Sequence, residues 1–261
     1  MKFIPNILVT VRFSSSRLPG KCLLLVNEIP ILIFLLRRLL NAGFNPIVCT
    51  STHYSDDVIV SLCENYKFMV FRGDLKNKIA RWDACCKDLG LNIVHIVDAD
   101  DPFVDDLEIM ESIQALISGQ LELIRTSNRS DSGFASVGMT VSAEFLQRLS
   151  MRTESFESRD FDVIPWDKLI QAGDKIGQMP DKFLTSDRDL QLRLTLDYPE
   201  DYQLILAIVH NLGVSPSRTE IEEFLIRNPS ISKLNSHRTA DFINNKQVQL
   251  NNNFGTILEA Q

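Results

Sequence analysis

The chain has 261 residues, 44% of them hydrophobic and 23% charged, which excludes a disordered, collagen-like or disulfide-stapled protein. A formal net charge of −7 argues against nucleic acid as a partner and leaves any polyanion to a local basic cluster. The five cysteines (Cys22, Cys49, Cys63, Cys85, Cys86) have no metal-ligand spacing and suit free thiols in a reducing compartment. No apolar run is long enough to span a membrane, because Arg37 and Arg38 interrupt the strongest one, so a cytoplasmic protein without a membrane segment is expected.

Residues 6–11 (NILVTV) read as a first buried strand. A polar loop with a Pro-Gly turn follows, and then a helix over residues 30–41 with Pro30 in its first turn and Gly43 just past its end. Strands over 46–50, 68–71 and 91–97 alternate with helices over 56–66, 75–89 and 106–117, and a short strand follows at 121–124. Such nearly continuous apolar strands, alternating with helices, predict a doubly wound α/β chain whose parallel sheet is covered on both faces. Its ligands should bind beyond the carboxyl ends of the strands.

Past residue 125 the rhythm loosens. A strand over 134–141 crosses to an added sheet or lobe, a helix covers 159–172, and an alternating strand covers 190–196. Helices follow over 199–212 and 219–227, the latter with Thr219 and Glu222 as a capping box. The polar, Asn-rich end from Asn228 onward reads as an irregular tail.

Three segments carry chemistry. The first loop, Arg12-Phe13-Ser14-Ser15-Ser16-Arg17-Leu18-Pro19-Gly20-Lys21, sets three cations and three serines directly after a strand. Such a loop can wrap a polyphosphate, or it can be a solvated turn paired with nearby carboxylates. It is neither a P-loop nor a G-x-G-x-x-G turn. Asp98, Asp100 and Asp101 follow the fourth long strand and repel one another unless a cation, with Mg²⁺ the natural one, sits among them. Alternatively they belong to an acidic helix start, a role that suits Asp105 and Asp106. Asp197, before Tyr198-Pro199-Glu200-Asp201, reads as a second metal ligand or as a helix cap. His95, inside a buried strand, reads as a satisfied core histidine, and no histidine has a zinc-like partner. Trp82 and Trp166 read as packing residues, and Arg125, Arg129 and Arg159 as surface arginines or ligands of an acidic sugar.

Taken together, these segments resemble the cytidylyltransferases that make CMP-sugars, the 3-deoxy-manno-octulosonate and acylneuraminate enzymes, and most closely the spore-coat polysaccharide biosynthesis protein F type. The family loop A-R-x-x-S-x-R-L-P-G-K is matched from Arg12 to Lys21, its D-x-P by Asp100-Asp101-Pro102, its D-x-P-E-D by residues 197–201, and another position by Arg72-Gly73.

The resemblance implies a three-layer α/β/α nucleotidyltransferase fold, Rossmann-like with a mostly parallel sheet, a small added lobe at about 130–190 within residues 1–212, and a C-terminal helical or irregular extension over 213–261. It implies CMP transfer from CTP to an acidic 2-keto-3-deoxy sugar for surface polysaccharide, Mg²⁺ on Asp100 and Asp197, and a homodimer. It gives Arg12, Lys21 and Asp197 catalytic roles. Arg12, Ser14, Ser15, Ser16, Arg17, Lys21, Arg72 and Asp98 would bind nucleotide. Asp98 stands where the family usually has Gln, Ser14 replaces a common Gly, and residues 130–142 lack the acidic motif of the spore-coat group. These departures leave two alternatives: another nucleotide with a sugar-phosphate acceptor, or a non-catalytic binding protein.

Overall fold

In the computed structural model, which describes residues 4–15, 17–126, 137–180 and 192–255, the apolar runs pair into one seven-stranded sheet. Its strands are β1 (Asn6–Thr10), β4 (Asn45–Ser51), β5 (Met69–Gly73), β6 (Ile93–Asp98), β7 (Leu123–Arg125), β8 (Met139–Ser142) and β9 (Ile176–Gln178), in the spatial order β5-β4-β1-β6-β8-β7-β9. β2 (Leu25–Val26) and β3 (Ile29–Pro30) form a separate two-stranded hairpin. Only β8 runs against its sheet neighbours, so β7 and β9 point the same way as β1 and β6.

Helices α1 (Ile31–Asn41), α2 (Asp57–Asn65) and α4 (Asp106–Ser118) cover one face, and α3 (Lys78–Leu89) and α5 (Ala143–Thr153) the other. β1 supplies both cores by alternation: Ile7 and Val9 point to the first face and Leu8 to the second, all three fully buried. α6 (Trp166–Leu169) is a single turn. α7 (Pro199–Leu212) and α8 (Arg218–Arg227) pack through Leu204, Ile208 and Ile221 against Ile31 and Phe34 of α1. α9 (Pro229–Ser232) and α10 (Arg238–Phe254) end the described chain. This is the expected three-layer α/β/α arrangement. Among the described residues no helix is long and apolar enough to cross a membrane, and all five cysteines are buried and unpaired.

Several expectations need correction. β8 does not cross to an added sheet; it inserts into the main sheet between β6 and β7 (residues 134–136 of the predicted strand lie outside the described residues). The helix expected over 159–172 is confined to α6, because Pro165 cannot continue a preceding turn. Residues 192–196 form no ladder strand. The capping box of α8 is Ser217–Glu220, one S-x-x-E earlier than the pair expected. Within the Asn-rich end, Arg238–Phe254 form a 17-residue helix, α10, and residues 256–261 lie outside the described residues. α5 was not anticipated; Ser142 caps it by accepting the Phe145 N–H, and Phe145, Leu146 and Leu149 bury its inner face.

His95 of β6 is fully buried, with Nδ1 2.8 Å from the Thr140 hydroxyl and Nε2 2.5 Å from the Val137 carbonyl. A carbonyl only accepts, so Nε2 carries the proton and the Thr140 hydroxyl donates to Nδ1. Gly138 allows this approach, because a Cβ there would lie 2.1 Å from the Ile96 carbonyl oxygen. Burial lowers the imidazole pKa from 6.5 to about 4, against the Val137 hydrogen bond. The unfolded chain therefore takes up a proton below about 6.5 that the folded chain refuses until about 4, so stability falls across that window. Urea denaturation at pH 7 and pH 4 should show the wild type losing up to about 3 kcal/mol that His95→Gln does not lose; parallel losses in the two proteins would contradict the assignment.

Candidate active site

A cleft of about 700 Å³ opens at the carboxyl ends of β1, β6 and β7. Its described lining holds six cations, Arg12, Arg17, Lys21, Lys78, Arg125 and Lys246, against three carboxylates, Asp98, Asp100 and Asp162. An acidic chain has thus gathered positive charge in one concavity, which is what focuses an anionic ligand.

The loop after β1 is fixed from below. Asp56 is fully buried at the start of α2 and accepts the Phe13 N–H at 2.8 Å, the Ser51 N–H at 3.1 Å and the hydroxyls of Thr50 and Ser51. Burial alone would raise its pKa, but these donors outweigh burial and hold the carboxyl below its ordinary value. Gly20 then turns the chain with φ of 68°, and one 3₁₀ turn over Lys21–Leu23 brings Lys21 to the cleft wall.

Lys21 is the centre of the site. Its Nζ donates to Asp100 Oδ2 at 2.5 Å, to Asp197 Oδ1 at 2.9 Å and to the Leu196 carbonyl at 2.9 Å, which uses all three ammonium protons. Arg17 also reaches Asp197 Oδ1, at 2.6 Å, and the buried Arg193 reaches Asp197 Oδ2 at 3.2 Å. Burial opposes the charges of Arg17, Lys21 and Asp197. The facing carboxylates nonetheless hold Lys21 above its ordinary pKa, and Lys21 and Arg17 hold Asp197 down at about 2.

Asp197 meets Asp100 because the segment before α7 lies along the segment after β6. The Leu196 N–H donates to the Asp100 carbonyl at 2.7 Å, and the Thr195 hydroxyl to Asp101 at 2.6 Å. The capping reading of Asp197 belongs instead to Asp201, whose Oδ2 accepts the N–H groups of Asp197 and Tyr198. Asp201 also pairs with the Arg193 guanidinium, and the Asn235 amide donates to Asp201 and to the Arg193 carbonyl, which holds Asp201 in the capping role while Asp197 faces the cations. Asp105 caps α4 by accepting the Glu108 N–H, as expected.

Of the remaining site residues, Arg12 pairs with Asp162 at 2.7 Å and donates to the Leu75 carbonyl. Ser14 and Ser15 line the cleft, whereas Ser16 lies outside the described residues. Asp98 forms part of the floor; burial raises its pKa and its like-charged neighbours Asp100 and Asp162 add to this, against Lys78. Arg72 is set apart from the other predicted nucleotide-binding residues. It does not line the cleft, and its guanidinium is spent on the Ser51 and His53 carbonyls and on Asp57. Arg125 lines the cleft beside the Trp166 ring, Arg159 binds the Thr153 and Glu154 carbonyls elsewhere, and Arg129 lies outside the described residues.

No motif marks Lys78, Asp162 or the α10 residues Phe242, Lys246 and Gln249, all of which line the cleft, and Trp166 lines it instead of merely packing. Asp162 and Lys78 are ordinary surface residues by pattern, and only the Arg12 pair and the start of α3 locate them.

A basic loop at the end of β1, facing aspartates from two distant segments at the carboxyl edge of a doubly wound sheet, defines a nucleotidyltransferase. The cytidylyltransferase family model matches residues 6–164, and the chain belongs to that family. It is 26% identical over 252 residues to the spore coat polysaccharide biosynthesis protein SpsF of Bacillus subtilis, covering 90% of this chain and 98% of that one. In fold it is similar to a cytidylyltransferase from Leptospira borgpetersenii, with a TM-score of 0.76 at 23% identity over 88% of this chain and 98% of the other. It is also similar to a CMP:2-keto-3-deoxy-manno-octonic acid synthetase solved with CTP, with a TM-score of 0.61 at 14% identity over 80% of this chain and 99% of the other.

Asp197→Asn tests the buried charge cluster. Breaking such a pair typically costs about 3–5 kcal/mol. Because the folded pKa is depressed, the contribution of Asp197 is complete above its ordinary value of 3.8 and is lost as pH falls through about 2. Chemical denaturation should therefore show the variant several kcal/mol less stable at pH 7, with the gap narrowing in acid; a pH-independent gap would contradict the depressed pKa.

Proposed function

We propose that this cytidylyltransferase moves CMP from CTP to an acidic 2-keto-3-deoxy sugar, releasing pyrophosphate, in the cytoplasmic synthesis of a surface polysaccharide. The observation that carries the reading is the Lys21 ammonium held between Asp100 and Asp197. Each loop cation rests on a carboxylate: Arg12 on Asp162, Arg17 on Asp197, and Lys21 on Asp100 and Asp197. A triphosphate offers the same kind of oxygen acceptor to all three at once, so CTP binding exchanges carboxylate for phosphate at each cation. Arg17 Nε, buried without an acceptor among the described residues, gains one in that exchange.

In the bound state Arg12, Arg17 and Lys21 orient the triphosphate and offset the charge that grows on the departing pyrophosphate. Ser14 and Ser15 offer backbone and hydroxyl donors to phosphate oxygens. Asp98 on the floor lies within reach of the nucleoside or the acceptor. Catalysis is then alignment of the acceptor hydroxyl with the α-phosphorus, plus charge stabilisation, with no covalent intermediate on the protein.

The donor set fits Mg²⁺. Asp100 and Asp197 converge on one point now held by an ammonium, and hard carboxylate oxygens suit that ion. Among the described residues no three acidic, histidine or cysteine side chains cluster as a metal site. The protein thus offers the one or two carboxylates that Mg²⁺ takes when phosphate oxygens and water complete its shell. When bound, the ion supplies charge to the phosphate oxygens and acidifies the attacking hydroxyl. The SpsF name supports the polysaccharide assignment, and the CTP-bound synthetase supports the nucleotide and the acid sugar.

Pyrophosphate release, measured with each of the four nucleoside triphosphates over a set of 3-deoxy-ulosonic acids, tests the reading. CTP is expected to support turnover well above ATP, GTP and UTP. Lys21→Ala should lower kcat by about 100-fold or more with a native circular dichroism spectrum. Faster turnover with another nucleotide, or a near-normal Lys21→Ala enzyme, would overturn it.

A further inference from the structure

α10 buries none of its residues, so it is not a core helix, yet it lies along the cleft. Its 17 residues span about 25 Å. It is tied at both ends. At the start Arg238 pairs with Glu200 at 2.9 Å, and at mid-helix Asn245 donates to the Tyr198 hydroxyl at 3.1 Å. At the finish, the Phe254 ring packs on Phe161 at 5.0 Å and on Phe156 at 5.7 Å, and Lys168 donates to the Phe254 carbonyl.

Between these ties one face looks into the cleft. Phe242, Lys246 and Gln249 line it, and steps of four and three residues place them within about 60° on the helix surface. Phe242 covers the guanidinium of Arg17 at 5.8 Å and that of Arg193 at 5.0 Å, which anchors this face beside the phosphate-binding loop. Lys246 follows one turn later, about 6 Å along the axis toward Phe254 and away from Arg17.

The third wall comes from β7. Arg125 ends that strand, at the same edge as the loop after β1 but three strand spacings, about 14 Å, across the sheet. Its guanidinium lies 5.8 Å from the centre of the Trp166 ring, which also lines the cleft. Two cations from unrelated elements therefore enter the cleft at positions displaced from the three that face Asp100, Asp162 and Asp197. The Trp166 ring beside Arg125 offers apolar surface to a sugar's C–H groups, and Gln249 offers hydrogen bonds to hydroxyls.

We propose that α10 is the acceptor-selecting wall of this enzyme, with Lys246 and Arg125 binding an anionic group of the sugar, a carboxylate or a phosphate, and Trp166 and Gln249 bounding its ring. This rests on the reading of the cleft as a CMP-transfer site and adds the residues that choose the acceptor. Because Lys246 and Gln249 are not buried and α10 packs on the core only through Phe254, substitutions at these two inner-face positions spare the fold.

The test uses the full-length enzyme with CTP and Mg²⁺, and four acceptor probes: 3-deoxy-manno-octulosonate and N-acetylneuraminate (carboxylates), glucose 1-phosphate (a phosphate) and mannose (neutral). Binding to the CTP-loaded enzyme is read from tryptophan fluorescence and turnover from pyrophosphate release. Anionic probes should bind and mannose should not; which anionic class responds identifies the group recognised. For the responding probe, Lys246→Ala should raise KM or Kd at least tenfold, Lys246→Arg should restore most of it, and the KM for CTP should stay within twofold. Silence from all three anionic probes, equal response to mannose, or a Lys246→Ala effect on CTP instead of the acceptor overturns the proposal. CTP affinity of the wild type, measured without any acceptor, separately tests the nucleotidyl-transfer reading: tight CTP binding with failed acceptor effects removes the role of α10 alone.

Discussion

One ammonium joins three stretches of chain that are far apart in sequence. Lys21 comes from the loop after β1, Asp100 from the turn after β6, and Asp197 from the approach to α7. Lys21 and Asp197 would each be costly to bury alone, since desolvation works against both charges. Together they form a network in which each charge has an opposite neighbour, and that mutual dependence fixes the spacing of the cleft. The neighbouring elements serve this arrangement: Asp56 pins the loop backbone, Asp201 takes over the capping of α7, and Asn235 and Arg193 hold Asp201 in turn.

The same network explains how an acidic protein can hold a site for a polyanion. The loop cations are not idle, because carboxylates keep them ordered and partly neutralised. In the function proposed, a nucleotide triphosphate would replace those carboxylates, and the aspartates it releases are of the kind that Mg²⁺ takes. Preorganisation of this sort limits the reorganisation left for the reaction step. The net positive lining then supplies the attraction that the chain as a whole, at −7, does not.

Much of this was legible in the chain because the relevant signals are local. Unbroken apolar strands such as residues 46–50, set between amphipathic helices, announce a parallel sheet, and the S-x-R-L-P-G-K run announces the loop. What escaped depends on contacts between distant residues. The 190–196 stretch alternates like a strand, yet residues 192–196 make no ladder and touch the β6 turn through the Leu196 amide and the Thr195 side chain. Asp197 looks like a cap because Asp201, four residues on, performs that task out of sight of the pattern. Arg72 sits at a family position, but Asp57 and two carbonyls claim its guanidinium. α10 carries five asparagines among its 17 residues, and that polar content hides the sparse apolar face of Ile243, Leu250 and Phe254 that a helix reading needed. α5 did carry its signal, a capping serine ahead of Phe145, Leu146 and Leu149.

The exchange of carboxylate for phosphate at Lys21 is most directly tested by diffraction from crystals of the enzyme soaked with CTP and Mn²⁺. The account predicts Lys21 Nζ withdrawn from Asp197 and hydrogen-bonded to phosphate oxygens, with an anomalous manganese peak against Asp100 and Asp197. Nucleotide density elsewhere in the cleft, with Lys21 still lodged between the two aspartates, would contradict it.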